Sequence, residues 1–196
     1  MKKISLSDVK NLHEYELIRD DFRRDVIAVK ARRRVSLGPK ISLVFENRLT
    51  VLGQIQEMCR VERLARPDAV QQEIDVYNEL LPGPGELGAT LFIELTTGED
   101  HVQEELDRLI GLTDGDKIWL ELAGRKVFAR FGEGQSRSDR IAAVQYVKFP
   151  IGDDPADRQA LESGEAPVVL RVDHPAYRVS QALSLETRRE LASDLA

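Results

Sequence analysis

The chain has 196 residues, 42% of them apolar and 32% charged, with 28 Lys and Arg against 34 Asp and Glu for a formal net charge of −6. That balance describes a soluble globular chain, not a disordered one. No run of about 18 apolar residues is present, which excludes a membrane-spanning helix, and the single cysteine, Cys59, excludes an internal disulfide or a multi-cysteine metal or iron–sulfur centre.

The start of the chain, Met1-Lys2-Lys3-Ile4-Ser5-Leu6-Ser7-Asp8, has no apolar stretch of signal length, so a cytoplasmic location is expected. Charge is unevenly spread. Residues 1–66 hold 15 Lys and Arg against 9 Asp and Glu, a net of +6, and residues 67–196 carry a net of −12. Such asymmetry fits either a polyanion-binding face or two parts that attract each other within one fold, and the second needs no outside partner.

In chain order, Ser5 or Ser7 caps a first short helix through about Glu16. A longer helix fits 19–34, where Ile18, Phe22, Val26 and Val29 recur at helical spacing and Arg32-Arg33-Arg34 suits the negative end of the dipole. Gly38-Pro39 makes a turn, Ile41 to Phe45 a strand, and Asn47 caps a helix over about 48–65 whose stripe runs Leu52, Ile55, Met58 or Cys59, and Glu62. Pro67 opens a further helix over 67–80. Leu81-Pro82-Gly83-Pro84-Gly85 then breaks the chain, dividing a mainly helical part (1–81) from a sheet-containing part (86–196) of one domain spanning 1–196.

Beyond the break, Leu87 to Leu95 reads as a strand, and Thr97 to Asp100 as the capped start of a helix ending at Gly111. Residues 118–122 and 126–130 read as a hairpin around Ala123-Gly124-Arg125, 132–139 as a polar loop, and 141–149 as a central strand. Asp154-Pro155 starts a helix that Gly164 ends; strands follow at 168–172 and 177–183. Ser184 caps a last helix, 185–194, packed through Leu185, Leu191 and Leu195. Hairpins and separate helical runs predict an α+β fold: a helical N-terminal part packed on a mostly antiparallel sheet with additional helices.

No phosphate loop, hydrolase nucleophile turn or H-E-x-x-H pair is present, so no metal site and no cofactor is expected. The basic residues Arg23, Arg24, Lys30 and Arg32 to Arg34 spread over more than one helix face without stacking aromatics, so nucleic acid is not expected as a partner. Two clusters remain as candidate ligand-binding residues. Glu57, Arg60 and Glu62 lie on the helix over 48–65, where Glu62 continues the apolar stripe and, if buried, needs a partner. Asp173, His174 and Tyr177 sit at a strand end rigidified by Pro175, where the alternative is a turn bonding to backbone. A polar cleft built by both clusters would support a small enzyme or ligand-binding protein. Separate clusters would favour a non-enzymatic accessory or binding module. Homo-oligomerisation is left open.

Arg32-Arg33-Arg34-Val35-Ser36-Leu37-Gly38-Pro39, Phe45-Glu46-Asn47-Arg48, Gln54-Ile55-Gln56-Glu57-Met58 and Val172-Asp173-His174-Pro175 resemble a family of bacterial proteins of unknown function, each about as long as this chain. The resemblance covers nearly the whole chain. It implies folding as one unit and, through gene neighbourhood, a link to rubrerythrin-like and iron–sulfur oxidoreductase proteins. A protein partner in redox or peroxide metabolism is the expectation that follows. It brings no catalytic residues.

Overall fold

A computed structural model of the chain describes residues 1–94, 101–132, 136–137 and 140–195. After a 3-10 turn at Leu6–Asp8, one continuous helix, α1 (Leu12–Arg33), replaces the two expected. The Asn11 side chain caps it, accepting from Glu14 N at 3.0 Å. No glycine or proline lies between Asn11 and Gly38, so nothing stops the helix early. Its inward face is Tyr15, Phe22, Val26, Val29 and Arg33, of which only Tyr15 and Arg33 are fully buried. Ile18, expected in that stripe, is exposed.

Arg33 leads directly into a strand that no sequence signal predicts, its first residue, Arg34, falling at the end of the expected helix. β1 (Arg34–Leu37) buries Val35 and Leu37 and exposes Arg34 and Ser36. It pairs antiparallel with β2 (Ile41–Phe45) across the Gly38-Pro39 turn. Asn47 then caps α2 (Arg48–Val61), accepting from Thr50 N at 3.0 Å. Gly53 of α2 faces Val26 of α1, where a Cβ would lie 3.0 Å from a valine methyl. The absent side chain lets the two helices touch. Pro67 opens α3 (Pro67–Asn78), as expected.

The Pro82-to-Gly85 break is crossed by the main sheet. β2 pairs antiparallel with β3 (Glu86–Ile93), so the helical part contributes the sheet's first two strands. The remaining elements are α4 (Val102–Asp107), β4 (Ile118–Leu122), β5 (Arg125–Phe128), β6 (Arg130–Phe131), β7 (Ser136–Arg137), β8 (Arg140–Ile141), β9 (Val144–Pro150), α5 (Pro155–Ser163), β10 (Val169–His174), β11 (Tyr177–Ala182) and α6 (Leu185–Asp194). The expected capped helix start at Thr97 to Asp100 lies outside the described residues. β7, inside the expected polar loop, pairs with β8, just beyond it. The β4–β5 hairpin turns at Ala123 and Gly124, both at positive φ. Leu185, expected to pack, is exposed, while Leu191 is buried.

One antiparallel sheet runs β1-β2-β3-β9-β6 and a second β11-β10-β4-β5, so the fold is α+β. Alternate residues of both sheets converge on one core, including Leu43, Phe45, Leu87, Leu91, Leu120, Leu122, Phe149 and Leu170. Each such side chain contributes about 1.5–3 kcal/mol. The sheets join on one flank where the chain passes from β5 to β6 through buried Ala129. On the other flank, Tyr177 of β11 bonds the backbone beside β1. A smaller apolar cluster holds Ile4, Val51, Ile55, Cys59, Val70, Ile74, Leu80 and Leu81 together. It fixes α2 and α3 to each other and to the N-terminus.

Candidate functional site

The two expected clusters do not share a wall. Glu57 sits at the α1–α2 contact. It accepts from Tyr15 Oη at 2.7 Å and from Arg19 Nε at 2.8 Å and Nη2 at 3.0 Å, with Arg60 Nε at 3.5 Å. The Arg19 guanidinium, helped by Tyr15 against the cost of burial, holds the Glu57 carboxyl down at about 2. Its acceptor positions are therefore filled from within the chain. Glu62, expected to continue the apolar stripe, is exposed because α2 ends at Val61 and the chain turns away.

The second cluster is a bonded turn. His174 is buried; its Nδ1 accepts from Ala176 N at 3.2 Å, which leaves Nε2–H to donate to Ile110 O at 3.0 Å. Tyr177 Oη donates to Leu37 O at 2.5 Å and accepts from Lys40 N at 3.2 Å. Asp173 pairs with Arg178 at 2.8 Å on the solvent side of the β10–β11 ladder. Cys59 is buried, and burial pushes its thiol up, away from the reactive thiolate.

A different concavity is open. A cleft of about 760 Å³ lies between α2–α3 on one side and β9–β6 on the other. Its walls include Met58, Val76, Tyr77, Leu80, Phe131 and Tyr146. The pleat explains the sheet wall: Leu87, Val147 and Phe149 turn into the core, which leaves Tyr146 and Lys148 of β9 on the opposite face. The helix wall follows from Ile74 and Asn78 pointing into the smaller cluster and its hydrogen bonds with Ile4, which turns Glu73, Val76 and Tyr77 outward or sideways. Val76 is 65% exposed.

Charged groups ring the cleft: Glu62, Glu73, Glu79 and Glu86, with Arg130 and Lys148. Glu86 accepts from Gly83 N at 3.0 Å. Among the described residues, the side chains of Glu62, Glu73, Glu79, Arg130 and Lys148 are in no ion pair and no hydrogen bond. Burial, then the nearby Tyr146, Glu73 and Glu62, push the Tyr77 phenol up, which keeps it a neutral hydroxyl at physiological pH.

Residues 3–195 match the model of a family described as protein of unknown function (DUF3501). The chain belongs to this family. A crystal structure of a novel protein of unknown function from Burkholderia pseudomallei K96243 is similar to it at 31% identity, with a TM-score of 0.89 over 100% of both chains. No curated protein matches the chain.

For this DUF3501 chain, the cleft residues escaped the sequence reading, apart from Glu62. Each is unremarkable in its own segment, and only the β6–β9 ladder and the α2–α3 packing bring them together. The one local signal is the outward alternation of Val144, Tyr146 and Lys148 on β9.

Proposed function

We propose that the protein is a non-enzymatic binding module and that its binding site is the α2–α3/β9–β6 cleft. One observation carries this reading: an apolar, aromatic-walled concavity of about 760 Å³ stands open to solvent, in the size range of small-molecule and short-segment sites, roughly 300–1,000 Å³. Of the residues that would have supported an enzyme, Glu57 is taken up by Tyr15 and Arg19, and His174 and Tyr177 by backbone groups. The accessory role in redox or peroxide metabolism rests on the family resemblance, and it names the setting in which a partner or ligand would be sought. Among the described residues no helix is long and apolar enough to cross a membrane.

The test uses N-phenyl-1-naphthylamine, a neutral dye whose emission rises in apolar sites. The intact chain is expected to bind it, and Val76→Asp, which changes an exposed wall residue, is expected to weaken binding at least about fivefold with an unchanged melting temperature. Equal binding by both proteins would place the dye elsewhere and sink the cleft reading.

A further inference from the structure

Arg130 and Lys148 are directly opposed partners in the β6–β9 ladder, and both line the cleft. Like charges opposite one another on paired strands destabilise a sheet. Other arginines on the sheets and helices, among them Arg19, Arg125, Arg171 and Arg178, each have a carboxylate partner. This pair has none among the described residues, although four glutamates line the same cleft. An anionic group held between the two cations would relieve the repulsion.

The facing wall has the opposite sign. Glu62, just past the end of α2, and Glu73, on α3, also lack a cationic partner among the described residues. Met58, Tyr77, Leu80 and Phe131 supply apolar surface to the same cleft. A purely apolar ligand leaves both charge sets unanswered, and a simple anion or cation answers only one. We propose that the cleft binds an apolar zwitterion, its anionic group between Arg130 and Lys148 and its cationic group against Glu62 and Glu73. This rests on the cleft being a binding site. Short apolar peptides with free ends belong to this chemical class.

The test is calorimetric titration of the full chain with the tripeptide Leu-Phe-Leu in four forms: free, N-acetylated, C-amidated and blocked at both ends. The body is constant and each end charge is removed in turn. The free form is expected to bind about tenfold or more tighter than either singly blocked form. Arg130→Gln with Lys148→Gln should erase its advantage over the amide, and Glu62→Gln with Glu73→Gln its advantage over the acetylated form. Melting temperatures of both double variants check that they fold. Equal binding of all four forms overturns the zwitterion and leaves an apolar cleft. Binding of none, by a chain that still takes up the naphthylamine dye, also overturns the zwitterion alone. Failure of dye and peptides together removes the cleft reading as well.

Discussion

Arg33, the last residue of α1, and Asp194 of α6 form an ion pair although 161 positions separate them in sequence. Arg33 is fully buried, and it also donates to Phe45 O at 2.8 Å and reaches Glu190 at 3.3 Å. Arg32 adds a second bond to Glu190 at 2.8 Å, and Lys40 reaches Glu105 at 3.6 Å. Part of the basic N-terminal segment's charge is thus met by the acidic remainder. Removing one member of a buried pair leaves the other uncompensated, which costs about 3–5 kcal/mol. Because Glu190 stays in place, Asp194→Ala is expected at the low end, about 3 kcal/mol. Urea unfolding measures it, and a loss below about 1 kcal/mol would show that the pair is not a main fastening of α6.

Glu57 gives a pH signature. Its native carboxyl is held at about 2, below its ordinary value of 4.5, chiefly by Arg19. An acid with a depressed native value stabilises the fold above its unfolded value and loses that contribution as pH falls. The contribution is therefore full above about pH 5 and fades through the window between 4.5 and 2. Partial exposure of the pair limits it to about 1–2 kcal/mol. Glu57→Gln should lower stability by that amount at pH 7 and by little near pH 2. A difference that stays constant with pH would refute the assignment.

Local chemistry made much of this fold readable. Asn47, Pro67, Asp154 and Ser184 each mark a helix start through a cap or an N1 proline, and the four helices begin where those residues predict. The strand Ile41–Phe45 announced itself as a run of four apolar residues interrupted only by Ser42, and all five residues are buried. β1 did not, because its four residues begin at the last of three arginines and carry only two apolar positions, too short an alternation to read as a strand. The cleft was illegible for a different reason. Arg130 and Lys148 meet only through strand pairing, and Glu73 joins them only through helix packing. The Glu57 and His174 clusters were legible as unusual chemistry, but a sequence does not show that Arg19 or the Ile110 carbonyl stands ready to satisfy them.

The two sequence-singled residues Glu62 and His174 should separate sharply on mutation. Glu62 is exposed and has no ion-pair or hydrogen-bond partner among the described residues, so Glu62→Ala is expected within about ±0.5 kcal/mol of the parent. His174 is buried with both ring nitrogens bonded, and its loss leaves the Ile110 carbonyl and the Ala176 amide without a partner. His174→Ala is expected to cost about 1–3 kcal/mol. Equal effects in thermal or urea unfolding would contradict this division.

Gly38 and Tyr177 should couple. Gly38 turns the β1–β2 hairpin at φ +65°, and a Cβ there would lie 2.5 Å from Tyr177 Oη. Gly38→Ala therefore combines a left-handed backbone penalty of about 1 kcal/mol with a steric overlap. Tyr177→Phe removes the overlapping oxygen and, at its own cost, the bonds to Leu37 and Lys40. Gly38→Ala should be less damaging in the Phe background, with a coupling of about 0.5–1 kcal/mol or more in a double-mutant cycle. Strict additivity would mean that the tyrosine yields freely and does not set the glycine requirement.

The Pro82-to-Gly85 segment looks like a linker in sequence, yet the β2–β3 ladder joins its two sides through five residue pairs, Ile41 with Ile93 to Phe45 with Ala89. The Arg33 contacts with Glu190 and Asp194 do the same from the C-terminal end of α1. The larger core is shared across the segment, although the smaller cluster of Ile4 to Leu81 lies on one side of it: a fragment ending at residue 84 would strip β2 of β3 and expose Leu43 and Phe45, both fully buried in the intact chain. The intact chain is expected to unfold in one cooperative step with coincident far-ultraviolet and tryptophan signals. Protease nicking near residue 83 should leave the halves associated until denaturant separates them. Release of two fragments that each keep a cooperative transition would show that the ladder is dispensable and that the chain folds as two units.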